Sequence, residues 1–321
     1  MKFDAAQIAK LARDTRFPAD NLEKVLRLRE LLIELHKHPF LQGRLVLKGG
    51  TAINLFCLGL ARLSADIDLN YIGQIDREPA LRERPDIVRA VEQIATGLGY
   101  KLQNGVDDHA LREWYLNYVN HNRTGDRIQI EINFLMRACA LAPRILPASP
   151  LDGAPSCEYL VLETAELFGG KIKAMIDRRH PRDLYHLYRF TNAQVRHNAE
   201  LLRKLAVFFA SAMDRDFRTY TMHRRTGTSS EELERLLYPL LRADDRPTAP
   251  EMLQVVSPLL AAVLDHDREA PYLEAMAAGH YQPDLLFPEH PEIVERIHQH
   301  PALRWKAQNV SRHLSRSPER S

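Results

Sequence analysis

The chain has 321 residues, 45% hydrophobic and 27% charged, a length that fits one large or two modest domains of about 100–200 residues each. A formal net charge of +2 is too balanced to indicate nucleic-acid binding, and three cysteines without a CxxC pair argue against a disulfide framework or a zinc site. No signal-peptide pattern and no run of roughly 20 apolar residues occurs, so we expect a cytoplasmic protein with no membrane partner.

The chain opens with a helical pattern and then changes to a strand. Apolar residues at helical spacing predict a helix over 20–37. The apolar run 45–47 predicts a strand, which leads through Gly49 and Gly50 into a short buried helix that begins after Thr51. The predicted order is therefore strand, glycine turn, helix.

Further strands are predicted before residue 137. In the segment 66–70, Ile67 and Leu69 alternate with polar residues, so Asp66 and Asp68 should lie on one face of a strand. The same alternation makes 128–134 the clearest strand of the chain. A helix is predicted over 86–98 and another strand over 114–119.

The second half of the chain has a helical pattern. The prolines and the glycine within 137–157 predict a linker. Pro181 predicts the start of a helix, because proline is favoured at the first helical position. Helices are predicted over 163–177, 181–190, 198–213, 230–242, 250–264, 267–278, 290–299 and 301–313. The polar end of the chain, 311–321, predicts disorder, with 316–321 as a tail.

These patterns predict an α+β fold in which the N-terminal half has α/β character, with a mixed sheet and helices. The C-terminal region is predicted to be entirely helical. We therefore expect a sheet domain over 1–150, a helical domain over 151–315 and a disordered tail over 316–321.

The pair Asp66 and Asp68 is the first candidate for chemistry. Two carboxylates at positions i and i+2 of a strand lie on the same side, where they repel each other unless a cation lies between them. Mg²⁺ binds one or two carboxylates together with phosphate oxygens of a substrate, so the pair is typical of such a site. The alternative is a solvated strand end that carries two acids.

Glu131 is the second candidate, because it interrupts an otherwise apolar strand. If that strand lies beside 66–70, at about 4.8 Å, Glu131 faces the aspartate pair. Three carboxylates could then hold two metal ions, which stabilise the attacking and leaving oxygens of a phosphoryl transfer. The alternative is an exposed polar face.

The glycine turn is the third candidate. Gly49 and Gly50 would let backbone amides approach phosphate oxygens, and the helix after Thr51 would add a favourable dipole. Alone this signal is weak, because many tight turns contain two glycines.

Taken together, the glycine turn, the acidic pair and the later acid resemble the nucleotidyltransferase superfamily, although the fourteen residues between Thr51 and Asp66 make the spacing slightly long. The sequence from about 44 to 190 is more specifically similar to the AbiEii/AbiGii toxin family, the MenT-like toxins of type IV toxin–antitoxin systems. The similar segments are KGGTAI at 48–53, RLSADID at 62–68, ELFGGK at 166–171 and PRDLYHLY at 181–188. His186 departs from the pattern, since the family typically has an acid there.

The resemblance implies a nucleotidyltransferase-like sheet fold and a set of site residues. The implied catalytic residues are Asp66, Asp68, Lys171 and Asp183, the last two contributed to the cleft by the helical domain. Substrate contacts or support of the site are implied for Lys48, Gly49, Gly50, Thr51, Ser64 and Arg182. The expected metal is Mg²⁺, or Mn²⁺, held by Asp66, Asp68 and Glu131, and the expected substrate is an NTP.

Structural roles remain open for several of these residues. Lys171 could be a solvated helix lysine, and Asp183 could lie in the first turn of its helix because the dipole favours an acid there. Arg182 could hold an acid or a phosphate. Arg62 could pair with Asp66 or Asp68 and make them structural.

Basic residues cluster in the second half, which suits a polyanionic acceptor. One cluster contains Lys171, Lys173, Arg178, Arg179 and Arg182, and another contains Arg215, Arg218, Arg224 and Arg225.

The family resemblance implies transfer of NMP to the 3′ end of tRNA, release of pyrophosphate, a cognate antitoxin encoded nearby and a role in phage defence by abortive infection. The alternatives are a nucleotidyltransferase that modifies a protein or a small molecule, and a non-catalytic NTP-binding regulator.

Overall fold

The structure is a computed structural model, and it describes residues 4–193, 197–222 and 228–316. The chain forms two compact units that interleave along the sequence. The first comprises Met1–Arg137, Pro143–Glu163 and Glu231–Pro247, and the second comprises Ala138–Ala142, Thr164–Ser230 and Thr248–Ser321. The segment 231–247 thus belongs with the first unit, whereas the sequence-based division assigns it to the second.

A mixed sheet of seven strands forms the centre of the first unit, in the order β3-β4-β5-β2-β1-β7-β6. The strands are β1 Leu45–Lys48, β2 Asp66–Tyr71, β3 Lys101–Asp107, β4 Leu111–Val119, β5 Gly125–Asn133, β6 Arg144–Pro147 and β7 Glu158–Val161. The pairs β2–β5 and β1–β7 are parallel, and the other pairs are antiparallel.

Both units contain α-helices. In chain order they are α1 Ala5–Thr15, α2 Ala19–Lys37, α3 Gly49–Ala52, α4 Arg77–Gly97, α5 Thr164–Arg178, α6 Pro181–Asn192, α7 Ala199–Ala210, α8 Ser230–Leu236, α9 Ala249–Val263, α10 Ala270–Ala277, α11 Pro291–Ile297 and α12 Pro301–Arg316. A π-helical turn, Ile53–Cys57, continues α3.

The alternation in β2 divides its side chains between core and site. Ile67 and Leu69 are fully buried, whereas Asp66 and Asp68 on the opposite face are half-buried. The long helix α2 packs against β5 and β7. Each aliphatic side chain buried in this way stabilises the fold by about 1.5–3 kcal/mol, so the apolar alternation fixes which face of β2 carries the carboxylates.

The second unit is helical in all of its described residues that have regular structure. Helix α5 packs against α7 at Gly169, where an added Cβ would be 3.0 Å from Cβ of Leu205. Helix α6 begins at Pro181, as the sequence predicts, and the imidazole of His180 caps it by accepting from the backbone N–H of Arg182.

The α+β fold and the helical C-terminal region predicted from the sequence are confirmed, as are the helices at 163–177 and 181–190. The predicted linker 137–157 is wrong in part, because it contains the edge strand β6. The expected disorder from 311 onward is also wrong as far as Arg316, because α12 continues to that residue. Residues 317–321 lie outside the described residues.

Among the described α-helices and strands, four have no counterpart in the sequence prediction: α1, β3, β6 and β7. The edge strand β3 is mostly exposed and polar, so it shows no apolar alternation. Its hydrogen bonds to β4, rather than burial of its own side chains, hold it in the sheet.

Cys57, Cys139 and Cys157 form no disulfide bond with one another. Throughout the described parts of the chain, every helix is too short or too polar to cross a membrane.

Candidate active site

A row of four charged side chains crosses the sheet of the first unit. In register, Glu113 of β4 pairs with Glu131 of β5, Glu131 pairs with Asp68 of β2, and Asp68 pairs with Lys48 of β1. Residues that are directly paired in a sheet project from the same face. Because β5 lies beside β2, the condition under which Glu131 faces the aspartates is met.

Asp66 lies on the same face as this row, two residues before Asp68. Its register neighbour on β5 is Gln129. Its backbone carbonyl accepts a hydrogen bond from the hydroxyl of Thr51, which is fully buried. The hydroxyl of Thr51 therefore ties the short helix α3 to the start of β2.

Gly49 brings the backbone against the carboxylate of Asp68. Its φ is +74°, and a Cβ at this position would be 2.0 Å from Oδ2 of Asp68. A side chain here would be excluded both by the left-handed backbone and by the carboxylate. The glycine turn predicted from the sequence is in fact the first turn of α3, with Lys48 as the residue before it.

The rest of the loop between α3 and β2 is buried and internally hydrogen-bonded. The carbonyl of Gly50 accepts from Nδ2 of Asn54 at 2.7 Å, and Oδ1 of Asn54 accepts from the backbone N–H of Arg62 at 3.3 Å. The guanidinium of Arg62 donates to the carbonyl of Leu63 at 2.6 Å, and Ser64 is 9% exposed. These contacts fix the path of the backbone that leads into Asp66.

Lys48 forms an ion pair with Glu131, with 3.4 Å between Nζ and Oε1. Each of the two side chains is 25% exposed. The strands that carry them, β1 and β5, lie on either side of β2, so the pair spans the strand that holds Asp68.

Glu113 is a member of the charged row that the sequence pattern did not indicate. It is 8% exposed and accepts hydrogen bonds from the backbone N–H of Val106, at 3.1 Å, and from the side-chain amide of Gln129. A Cβ on Gly105 would be 2.1 Å from its Oε2, and β3 is irregular at this point. Alternation within β4 could have indicated Glu113, but the predicted strand began one residue after it.

The donors on this face suit a hard divalent cation. Carboxylate oxygens are the ligands that Mg²⁺ takes, usually one or two of them with several waters, so Asp66 and Asp68 could hold such an ion. Gly49 keeps the space beside Asp68 free of a side chain. Among residues 4–193, 197–222 and 228–316, no group of three or more His, Cys, Asp or Glu side chains is arranged to hold a metal ion.

In the second unit, Lys171 of α5 and Asp183 of α6 form a buried ion pair, with 2.7 Å between Nζ and Oδ1. The alternative of a solvated Lys171 is wrong, because its side chain is 10% exposed. Arg178 also binds Asp183, at 2.7 and 3.2 Å. Burial by itself would raise the pKa of the Asp183 carboxyl, but the charge of Lys171 and the hydrogen bond from Arg178 lower it to about 2.

Asp183 also occupies the first turn of α6, where the helix dipole favours an acid. His186, one turn later, is fully buried. Arg182 is half-buried and lies beside the capping His180, with 3.5 Å between NH2 and Nε2.

Several residues of the predicted basic clusters have acidic partners. Lys173 pairs with Asp177, and Arg218 pairs with Asp216. Arg215 is exposed. Arg224 and Arg225 lie outside the described residues.

The fold is similar to that of a solved nucleotidyltransferase toxin. MenT4, a nucleotidyltransferase toxin from Mycobacterium tuberculosis H37Rv, superimposes with a TM-score of 0.64 at 22% sequence identity, covering 94% of this chain and 98% of that one. A putative nucleotidyltransferase from H. pylori shows a TM-score of 0.40 at 17% identity, with the same coverage of 94% and 98%. No curated protein sequence matches the chain.

The match to a family model is more direct, because it rests on the sequence of this chain. Residues 31–296 match the model described as nucleotidyl transferase AbiEii toxin, type IV TA system. That range contains both aspartates of β2, the glycine turn, and the pair Lys171 and Asp183. The chain belongs to the AbiEii family of nucleotidyltransferase toxins of type IV toxin–antitoxin systems.

Proposed function

We propose that this nucleotidyltransferase transfers NMP from an NTP to the 3′ end of tRNA, with a divalent metal ion on Asp66 and Asp68, and releases pyrophosphate. The observation that carries the proposal is the pair of half-buried aspartates on one face of β2, with the backbone of Gly49 packed against one of them. These two carboxylates do not pack in the hydrophobic core, because the apolar side chains that β2 contributes to the core lie on its other face.

A divalent ion, when bound, would supply positive charge to the phosphate oxygens of the NTP. Asp66 and Asp68 would hold that ion, with the backbone of Gly49 packed against the carboxylate of Asp68. Lys48 would place an ammonium group near the phosphates. Mg²⁺ is the expected ion, with Mn²⁺ as a substitute, and Glu131 is the carboxylate that a second ion could use if Lys48 released it.

Lys171 and Asp183 are proposed to act in the same reaction on the grounds of the family motif. The carboxylate of Asp183 restricts the position of the Lys171 ammonium group, which suits a cation that has to meet phosphate. Arg178 supplies a second cation to the same carboxylate. In this proposal Asp183 is a positioning residue, and Arg182 is an additional candidate for phosphate contact.

The polyanionic acceptor is supported by a polar cavity in the second unit. Its volume is about 460 Å³, and its lining includes the cations Lys173, Arg179 and Arg215, the acids Asp177 and Asp214, and the aromatic ring of Tyr220. Cationic side chains neutralise phosphates, and an aromatic ring can stack on a base, so this lining suits a nucleic acid better than an apolar small molecule. tRNA is the nucleic acid that we propose.

The direct test is an incubation of purified protein with each α-³²P-labelled NTP in turn, Mg²⁺ and total bacterial tRNA. We expect label in tRNA with the wild type and none with Asp66→Ala. Label that enters protein or a small molecule would change the acceptor in the proposal. Consumption of no NTP would leave a non-catalytic NTP-binding regulator.

A growth experiment tests the biological part of the proposal. As a toxin that acts in the cytoplasm, the chain expressed alone should slow growth, and a cognate antitoxin should relieve the effect. Asp68→Asn should be harmless at the same expression level. If an active enzyme were harmless when overexpressed, the proposed part in phage defence would be untenable.

A further inference from the structure

The Lys48–Glu131 ion pair joins two strands that are not neighbours in the sheet. The two residues belong to strands separated by β2, so their backbones are about 9.6 Å apart, which is two strand spacings. Their charged atoms are nevertheless 3.4 Å apart. Since both residues are in register with Asp68, the two side chains together bridge the strand at the level of that aspartate.

The charges along the row explain why a cation is needed at this point. Glu131 lies between two other acids in register, Asp68 on one side and Glu113 on the other. Glu113 is held in place by Val106 and Gln129, so its carboxylate remains beside Glu131. Three acids in adjacent strands repel one another, and Lys48 is the positively charged member of the same row.

The Lys48–Glu131 ion pair is partly buried. Each side chain is 25% exposed, so water screens the attraction between the two charges less than it does in a surface ion pair. A carboxylate that already has an ammonium partner is a poor ligand for a second cation, because the two cations repel each other.

We propose that Lys48 is the resident cation on the Glu131 side of the site and that Glu131 is a positioning residue for Lys48, not a metal ligand. The site then takes a single divalent ion, on Asp66 and Asp68, and Lys48 takes the place of a second ion. This inference rests on the proposed function only in that a metal ion and an NTP bind on this face of the sheet.

The first test measures the pair itself, without metal. Free energies of unfolding in EDTA are compared for the wild type, Lys48→Met, Glu131→Gln and the double variant. If the pair forms, the double variant loses less than the sum of the two single losses. Strictly additive losses would overturn the inference. The matched control is the half-buried pair Lys24 and Asp126 elsewhere in the same unit, which should show no coupling to Glu131.

The second test measures Mn²⁺ binding by electron paramagnetic resonance, which does not depend on activity. Asp68→Asn should weaken binding by at least about tenfold, whereas Glu131→Gln and the control Asp126→Asn should bind like the wild type. Lys48→Met should bind Mn²⁺ more tightly, because Glu131 is released, and the gain should vanish when Glu131→Gln is added.

Equal weakening by Glu131→Gln and Asp68→Asn would overturn the inference and make Glu131 a metal ligand. A wild type that binds no Mn²⁺ would instead count against the metal in the proposed function, and the unfolding cycle would then decide the inference by itself. The two failures are therefore distinguishable.

Discussion

The backbone of Gly49 lies directly against the carboxylate of Asp68, at a distance that no side chain at position 49 could share. The left-handed conformation of Gly49 and the placement of Asp68 on β2 thus depend on each other. One glycine explains both the shape of the turn and the close approach of the backbone to the proposed metal ligand.

Gly49→Ala should therefore reduce both stability and activity. The left-handed backbone alone costs roughly 1–2 kcal/mol for an alanine, and the clash with Asp68 adds to that cost. Gly43→Ala is the matched control, because Gly43 has a φ of +69° but no atom of the described residues lies within 4 Å of an added Cβ. Thermal unfolding and transfer rates of both variants check the prediction. Equal losses of activity would mean that the contact with Asp68 is unimportant.

Asp66→Asn and Asp68→Asn should each lower nucleotide transfer by roughly two orders of magnitude or more, because a metal ion contributes several kcal/mol to such reactions. Asp126→Asn removes a carboxylate from the same sheet outside the row and should retain activity. The measurement is incorporation of labelled NMP at saturating NTP. Near-normal activity of either aspartate variant would remove that residue from the metal site.

Asp183→Asn should destabilise the second unit strongly. It leaves Lys171 buried without its carboxylate, and removing one partner of a buried pair costs about 3–5 kcal/mol. Lys171→Met should cost less, because Arg178 still pairs with Asp183. Urea unfolding of the two variants gives the comparison. A larger loss in Lys171→Met would show that Arg178 contributes little to holding Asp183.

The carboxylate of Asp183 should make the free energy of unfolding depend on pH in the acid range. The pKa of Asp183 is lowered from 3.8 to about 2 in the folded protein. The ionised carboxylate therefore stabilises the fold fully above pH 3.8, and this stabilisation is lost as the pH falls through about 2. The shift corresponds to about 2 kcal/mol. Free energies of unfolding between about pH 5 and pH 2 should therefore fall more steeply in the wild type than in Asp183→Asn. Parallel curves would contradict this.

Two adjacent glycines of α5 should respond in opposite ways to alanine. At Gly169 an added Cβ would be 3.0 Å from Cβ of Leu205 and 3.1 Å from its carbonyl carbon, so Gly169→Ala should destabilise the protein by roughly 1–3 kcal/mol. At Gly170 no atom of the part of the chain that the structure describes lies within 4 Å of an added Cβ, so Gly170→Ala should stabilise the helix by up to about 1 kcal/mol. Thermal unfolding measures the stability of both variants. A loss of stability in Gly170→Ala as large as that in Gly169→Ala would argue against close packing of α5 on α7.

Local periodicity determined much of what the sequence predicts about this protein. The alternation of Ile67 and Leu69 with aspartates suffices to place Asp66 and Asp68 on one face, because neighbouring side chains of a strand always point to opposite sides. The start of α6 at Pro181 is equally local. The helical periodicity of the second half depends on spacing within each segment, so it too can be recognised without knowledge of any partner.

Only the tertiary structure decided which distant residues meet. The contacts of Lys48 with Glu131, and of Lys171 with Asp183, join segments whose separation along the chain says nothing about their distance in space. The same holds for Glu113, which lies one residue before the strand predicted over 114–119 and joins the charged row only through pairing with β5. Register and burial are collective properties of the folded chain, and they determine whether a charged side chain is solvated, paired or left available to a ligand.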